Sequence, residues 1–265
     1  MKMQLTGQFI PGNSFVHRLD ARAKLFGFLF LLAAVIIAKP IYGYIIMVAL
    51  VFAVITCSGF SIEIALGSIR RMGKFFVLIF LLNALFFSTQ DTYWQWWIFS
   101  LSKEGLLQGV NVVFQVVLIM TLSNVLTLST PPMELVSAIE ALIYPLRFIR
   151  VPVEDVAIIL SVAIQFIPTL LEETAIIRKA QTARGARFES KKRRERAMSL
   201  LPLVVPVFLS AFNRADELSV AMEARGYRGA KYRTEKDKRP LNISSWLSML
   251  GCSLICALQI ILLQI

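Results

Sequence analysis

Two arginines carry the clearest chemical signal in this chain. They sit at the centres of Ala183-Arg184-Gly185 and Ala224-Arg225-Gly226, 41 residues apart. A guanidinium is permanently charged and presents a planar fork of donors, which suits bidentate pairing with a carboxylate. Four and seven places before Arg184 stand Ala180 and Ile177, and the same offsets before Arg225 give Ala221 and Leu218. Those offsets share one helix face, so each arginine ends an apolar stripe. Helix capping explains part of this, because arginine in a last turn favours the helix dipole and glycine is a common terminator. Capping explains Arg-Gly. It does not explain why the same face repeats, whereas a side chain meant for a groove on another protein does.

Other reactive residue types are sparse. His17 is the single histidine, and Cys57, Cys252 and Cys256 all lie inside apolar runs, as small buried hydrophobes do. There is no G-x-x-x-x-G-K-[ST] phosphate loop, no H-E-x-x-H, no G-x-S-x-G and no cluster with metal-ligand spacing. No catalytic residue, metal site or bound cofactor is therefore expected on this chain.

The elements that must position the arginines belong to a membrane protein. Hydrophobic residues make up 57% of 265 residues, and the formal charge is +11. Five apolar segments stand out: Leu25–Ala38, Ile41–Cys57, Phe75–Phe87, Gly105–Leu128 and Ile243–Ile265. The first and third are short for a bilayer that needs about 20 residues. Lys24 and Lys39 are expected to snorkel outward from the first, with Pro40 in the turn that follows. Trp94, Trp96 and Trp97 are expected in an interfacial aromatic belt. Lys2, Arg18, Arg22 and Lys24 precede the first span, and Arg70, Arg71 and Lys74 fill the second connection. The first and third connections hold only Lys39 and Lys103. By the positive-inside rule the N-terminus is cytoplasmic and, after five spans, the C-terminus is outside. The basic charge thus speaks for a membrane and against a nucleic-acid partner.

Residues 129–242 hold 19 of the 28 basic residues yet include two apolar runs, Val156–Leu171 and Ala197–Phe212. If both crossed, nine positive charges between Arg178 and Arg196 would be exported, against the sidedness set elsewhere. Both runs are therefore expected as long helices that do not cross, and Val156–Leu171 needs a cover of lipid or another subunit. Beyond Leu171 each turns amphipathic, with Glu172, Glu173 and Lys179 on one and Arg214, Asp216 and Glu217 on the other. A shorter helix is expected over Met133–Tyr144, with Thr130 as N-cap and Pro131 in its first position. Pro145 and Pro152 bracket a turn with Arg147 and Arg150, and Lys191–Arg196 is expected as a solvated or headgroup-contacting loop. Within the spans, Asn83, Asn111, Gln115 and Asn124 are candidates for interhelical hydrogen bonds or a polar path.

The chain resembles the transmembrane T component of energy-coupling factor transporters, the vitamin and metal importers of the ABC superfamily. The resemblance rests on Pro11-Gly12-Asn13-Ser14 followed by His17-Arg18-Leu19-Asp20-Ala21-Arg22, on Thr130-Pro131-Pro132-Met133-Glu134-Leu135 leading to Pro145-Leu146, and on the paired Ala-Arg-Gly signatures. It implies an all-α integral membrane protein of about five spans with a cytoplasmic module of three coupling helices, near 131–144, 154–185 and 196–226. The domains would be 1–128, 129–242 and 243–265. It further implies that the two long helices cross, and that each signature docks on one of two ATPase subunits, identical or paired paralogues. A hydrophobic S component would bind the vitamin or other micronutrient. ATP and magnesium would sit on the partners, so the chain is not itself an enzyme, and it would reside in a prokaryotic cytoplasmic membrane. His17, Arg18 and Asp20 form an N-terminal family motif expected to anchor the first span. A self-contained permease or channel, with a basic region that binds the bilayer surface, is the alternative.

Overall fold

The structure, a computed structural model, describes residues 9–38, 41–86, 92–96, 99–149, 152–186, 188–190, 192–229 and 242–264. Lys2, Lys39, Pro40, Trp97, Arg150, Arg187 and Lys191 lie outside these residues, as do Phe87 and Ile265. Two compact units form: one contains Gln8–Ile139 with Pro240–Ile265, the other Glu140–Arg239.

In the first unit, Ser14 and Asp20 start α1 (Phe15–Arg18) and α2 (Ala21–Ile37) by accepting from the backbone N–H groups of His17 and Arg22. Helix α3 (Ile41–Ser58) is followed by α4 (Ile62–Arg71), turned 118° from it. With Glu63, Arg70 and Arg71 against apolar neighbours, α4 is amphipathic, where hydropathy alone suggested only a basic connection. After α5 (Gly73–Phe86) comes an antiparallel ribbon of β1 (Thr92–Trp96) and β2 (Phe99–Ser102), with Trp96 opposite Phe99. Trp94 and Trp96, expected in an aromatic belt, belong to this ribbon. Ser102 caps α6 (Lys103–Ser129) by accepting from the Gly105 N–H at 2.9 Å. Helix α10 (Ile243–Gln264) packs mainly on α2.

Each of the five expected spans is thus a helix, and apart from the ribbon the described residues form an all-α membrane protein. The inner face of this unit collects Leu31, Ala34 and Val35 of α2, Met47, Val51 and Ile55 of α3, Leu118, Leu122 and Val125 of α6, and Cys256 of α10. Lipid is as apolar as these side chains, so close packing rather than water exclusion must hold such helices together. Small residues at the contacts fit that demand. A Cβ on Gly109 would come within 3.0 Å of the Phe80 ring, and one on Gly27 within 3.3 Å of Cys252 Sγ.

Polar side chains reinforce the bundle. Gln115 Nε2 donates to the Tyr44 hydroxyl at 3.2 Å, and Asn124 Nδ2 donates to the Ala65 carbonyl of α4 at 2.7 Å. Gln259 Nε2 donates to the Gly43 carbonyl at 3.1 Å. Asn83 instead donates back to Ile79 of its own helix, and Asn111 is half-exposed. Lys24 does not snorkel. It is 8% exposed, and its ammonium donates to the carbonyls of His17 at 3.3 Å and Ser129 at 3.1 Å. Those carbonyls end α1 and α6, where helix dipoles favour a cation.

Helix α7 (Pro132–Ile143) begins one residue later than the sequence indicates. Thr130 is the buried C-cap of α6, while the Pro131 carbonyl accepts the first helical bonds from Glu134 and Leu135, leaving Pro132 in the first position. A residue before proline is driven to extended backbone, so with two prolines in a row the second starts the helix. In the second unit a 3₁₀ turn, Tyr144–Ile149, carries Arg147, which pairs with Glu154 at 3.2 Å. Two long helices follow, α8 (Val153–Ala183) and α9 (Arg193–Ala224). The basic run expected as a loop forms part of α9 from Arg193 onward, and Glu195 supports that first turn by pairing with Lys192 at 3.3 Å.

Candidate functional site

Helices α8 and α9 end in the same way. Arg184 and Arg225 are the two C-caps, with φ/ψ of −82°/5° and −84°/4°. Each is followed by a left-handed glycine, Gly185 at φ +90° and Gly226 at φ +76°. At the first tip the Gly185 N–H donates to Thr182 at 3.0 Å and the Ala186 N–H to Gln181 at 3.0 Å. At the second the Gly226 N–H donates to Glu223 at 2.9 Å and the Tyr227 N–H to Met222 at 3.0 Å. Both are therefore Schellman caps, matched bond for bond. Nothing lies within 4 Å of a Cβ built on either glycine, so the backbone twist alone requires glycine there.

The cap occupies the main chain of each arginine and leaves its side chain outside the helix ladder. Arg184 and Arg225 are exposed, and among the described residues neither meets a carboxylate within ion-pairing distance. Of the stripe residues beneath them, Ile177 and Leu218 are half-buried while Ala180 and Ala221 are exposed. Each tip thus presents an exposed alanine, with a guanidinium at its edge that is unengaged among the described residues. Ala183 and Ala224, the last helical residues, are also exposed.

The chain after the first tip folds back along α8. Arg178 lies over the Phe188 ring at 5.6 Å and pairs with Glu189 at 3.6 Å. Further up, α8 and α9 touch. Glu173 accepts a hydrogen bond from the Ser210 hydroxyl, and its second oxygen stands 3.5 Å from Arg214 Nη2. Sequence reading noted Glu173 and Arg214 only as polar-face residues and passed over Ser210. Above this contact both helices expose large apolar side chains: Val156, Ile159, Ile167 and Leu171 on α8, and Val204, Val205, Phe208, Leu209 and Phe212 on α9.

The N-terminal motif lies in the other unit and makes structural contacts. His17 bridges Ser14 Oγ at 2.6 Å and the Ile10 carbonyl at 3.0 Å, its Nε2 donating to the carbonyl. Phe60 meets the ring edge-on at 5.3 Å. The Asp20 N–H donates to Ser245 Oγ of α10 at 3.3 Å, and Arg18 is exposed. No group of metal-ligating side chains occurs among the described residues.

Residues 12–236 match the cobalt transport protein family CbiQ. The energy-coupling factor transporter transmembrane protein of Lacticaseibacillus paracasei is 36% identical over 262 residues, which is 99% of both chains. Its counterpart in Thermosediminibacter oceani is 40% identical over 228 residues, 86% of each chain, and that of Bacillus subtilis is 36% identical over 238 residues, 90% of each. The chain belongs to this family. Two identically built helix tips, whose arginines are unengaged among the described residues, are what this member of the energy-coupling factor transmembrane family leaves exposed. The bundle satisfies most of its polar groups internally, and the tips do not.

Proposed function

We propose that this chain is the energy-coupling transmembrane subunit of an energy-coupling factor importer. Arg184 and Arg225 each enter a groove on one of two ATPase subunits and pair there with carboxylates. The observation that carries this reading is the matched pair of Schellman caps, each holding a guanidinium that meets no carboxylate among the described residues, beyond an apolar stripe. ATP and magnesium bind the ATPase partners, which do the hydrolysis, and this chain transmits the resulting movement. The exposed apolar faces of α8 and α9 receive a hydrophobic S component that binds the vitamin or other micronutrient. The N-terminus and both tips face the cytoplasm and the C-terminus lies outside, a reading that the distribution of basic residues supports.

Affinity purification from native membranes tests this. The expected complex contains this chain, two ATPase subunits and a small hydrophobic protein. Recovery of the chain alone, with solute uptake from proteoliposomes that hold nothing else and no ATP, would establish a self-contained permease instead.

A further inference from the structure

We propose that Glu173, Ser210 and Arg214 form the fulcrum about which α8 and α9 turn when the tips move. The inference rests on the docking reading above and assigns these three as positioning residues. Glu173 is held from two sides by residues one turn apart on α9: Ser210 donates to one carboxylate oxygen, and Arg214 Nη2 approaches the other at 3.5 Å. The remaining ion pairs of this unit among the described residues are local, joining Arg147 to Glu154, Arg178 to Glu189 and Lys192 to Glu195. Glu173 with Arg214 ties one long helix to the other. Apolar contact has no preferred direction, so this charged contact is what can fix a crossing point while the angle changes.

Its position along the helices is the second argument. Glu173 precedes Arg184 by 11 residues, and Arg214 precedes Arg225 by 11. At 1.5 Å per residue each tip lies about 16 Å from the crossing, three turns on and close to the same face. Glu173 and Arg214 are therefore separated by the same 41 residues as the two signature arginines. They hold equivalent places in the repeated helices, and only opposite charges at such places attract. Between crossing and tips neither helix contains proline or glycine, whereas Pro168, Pro202 and Pro206 all lie on the far side. Proline removes a ladder hydrogen bond and admits bending, so the tip arms are the stiff ones.

The contact is also not at its optimum. Glu173 Oε2 is buried and lacks a hydrogen bond, with Arg214 Nη2 just too far or too oblique to supply one. A rotation that closes this gap would favour a second crossing angle, which gives the joint the differential contact a two-state element requires.

The test uses the complete complex with its ATPase partners, the native cysteines replaced, and two pairs of spin labels. One pair sits at the tips, on Thr182 and Glu223, and the other on the far arms, on Val156 and Ala197. All four positions are exposed, and each pair is again 41 residues apart. In the unaltered chain, magnesium-ATP is expected to shift both distances together. Glu173→Gln or Arg214→Gln should keep the tip shift and lose the far-arm shift, with nucleotide-free distances unchanged. The exchanged pair Glu173→Arg/Arg214→Glu should restore it. Far arms that still follow the tips in Glu173→Gln, or an exchanged pair that restores nothing, would overturn the fulcrum and leave docking intact. No nucleotide-dependent shift at the tips of the unaltered chain would overturn both.

Discussion

The bundle and the long-helix pair treat their polar groups in opposite ways. In the bundle, Lys24, Asp20, His17, Gln115 and Asn124 all find partners within the chain. On α8 and α9, the two residues that repeat most faithfully, Arg184 and Arg225, remain unengaged among the described residues, and the apolar faces above them remain uncovered. The bundle is a scaffold completed by its own contacts. The helix pair, on the proposed reading, is half of an interface. A substitution should therefore damage stability in the first and association in the second, and that contrast is open to attack from both sides.

The largest effect on stability is expected at Lys24. Lys24→Met leaves the buried Ser129 carbonyl and the part-buried His17 carbonyl without their donor, and an orphaned buried acceptor costs about 1–3 kcal/mol. Thermal unfolding in detergent should show a clearly lowered Tm, while any bundle that still folds should bind ATPase subunits with unchanged affinity. Next comes Gly226→Ala. A side chain in left-handed backbone costs roughly 1–2 kcal/mol, here confined to the last turn of α9, whose twist at Gly226 is φ +76°. Amide exchange should rise over Met222–Tyr227 and ATPase affinity should fall, with the Tm of the bundle unmoved. The smallest effect is expected from Asn124→Leu, since interhelical hydrogen bonds in membranes average about 0.6 kcal/mol. A loss of Tm as large as that of Lys24→Met would mean that the Ala65 contact does far more than join α6 to α4.

Much of this contrast was legible in the sequence. The spacing of Arg184 and Arg225 gave their shared face directly, because helical period turns offsets of four and seven into geometry. Basic-residue counts argue that α8 and α9 do not cross, whereas by length and composition both qualify as spans. Other features were hidden, each for a physical reason. Hydropathy cannot distinguish a lysine that snorkels from one whose ammonium finds two helix-end carbonyls, so Lys24 was misread. Tandem prolines shifted the first residue of α7 from Pro131 to Pro132. Tryptophan enrichment indicates an interface but not that Trp94 and Trp96 lie on a paired strand. The Glu173–Arg214 contact had a signal that was available: the 41-residue offset that aligns the signatures also aligns these two charges.

One measurement bears most directly on the claim that the tips are the docking points. The affinity of purified ATPase subunits for this chain in nanodiscs should be compared with that of Arg184→Ala, Arg225→Ala, the double variant and the matching lysine variants. Truncating one partner of a buried charge pair costs about 2–5 kcal/mol, so each alanine should weaken binding by more than tenfold, the double variant should abolish it, and lysine should recover only part. Unchanged Tm throughout would confirm that the loss is one of association. A double alanine variant that still holds both ATPase subunits at full occupancy would contradict the account.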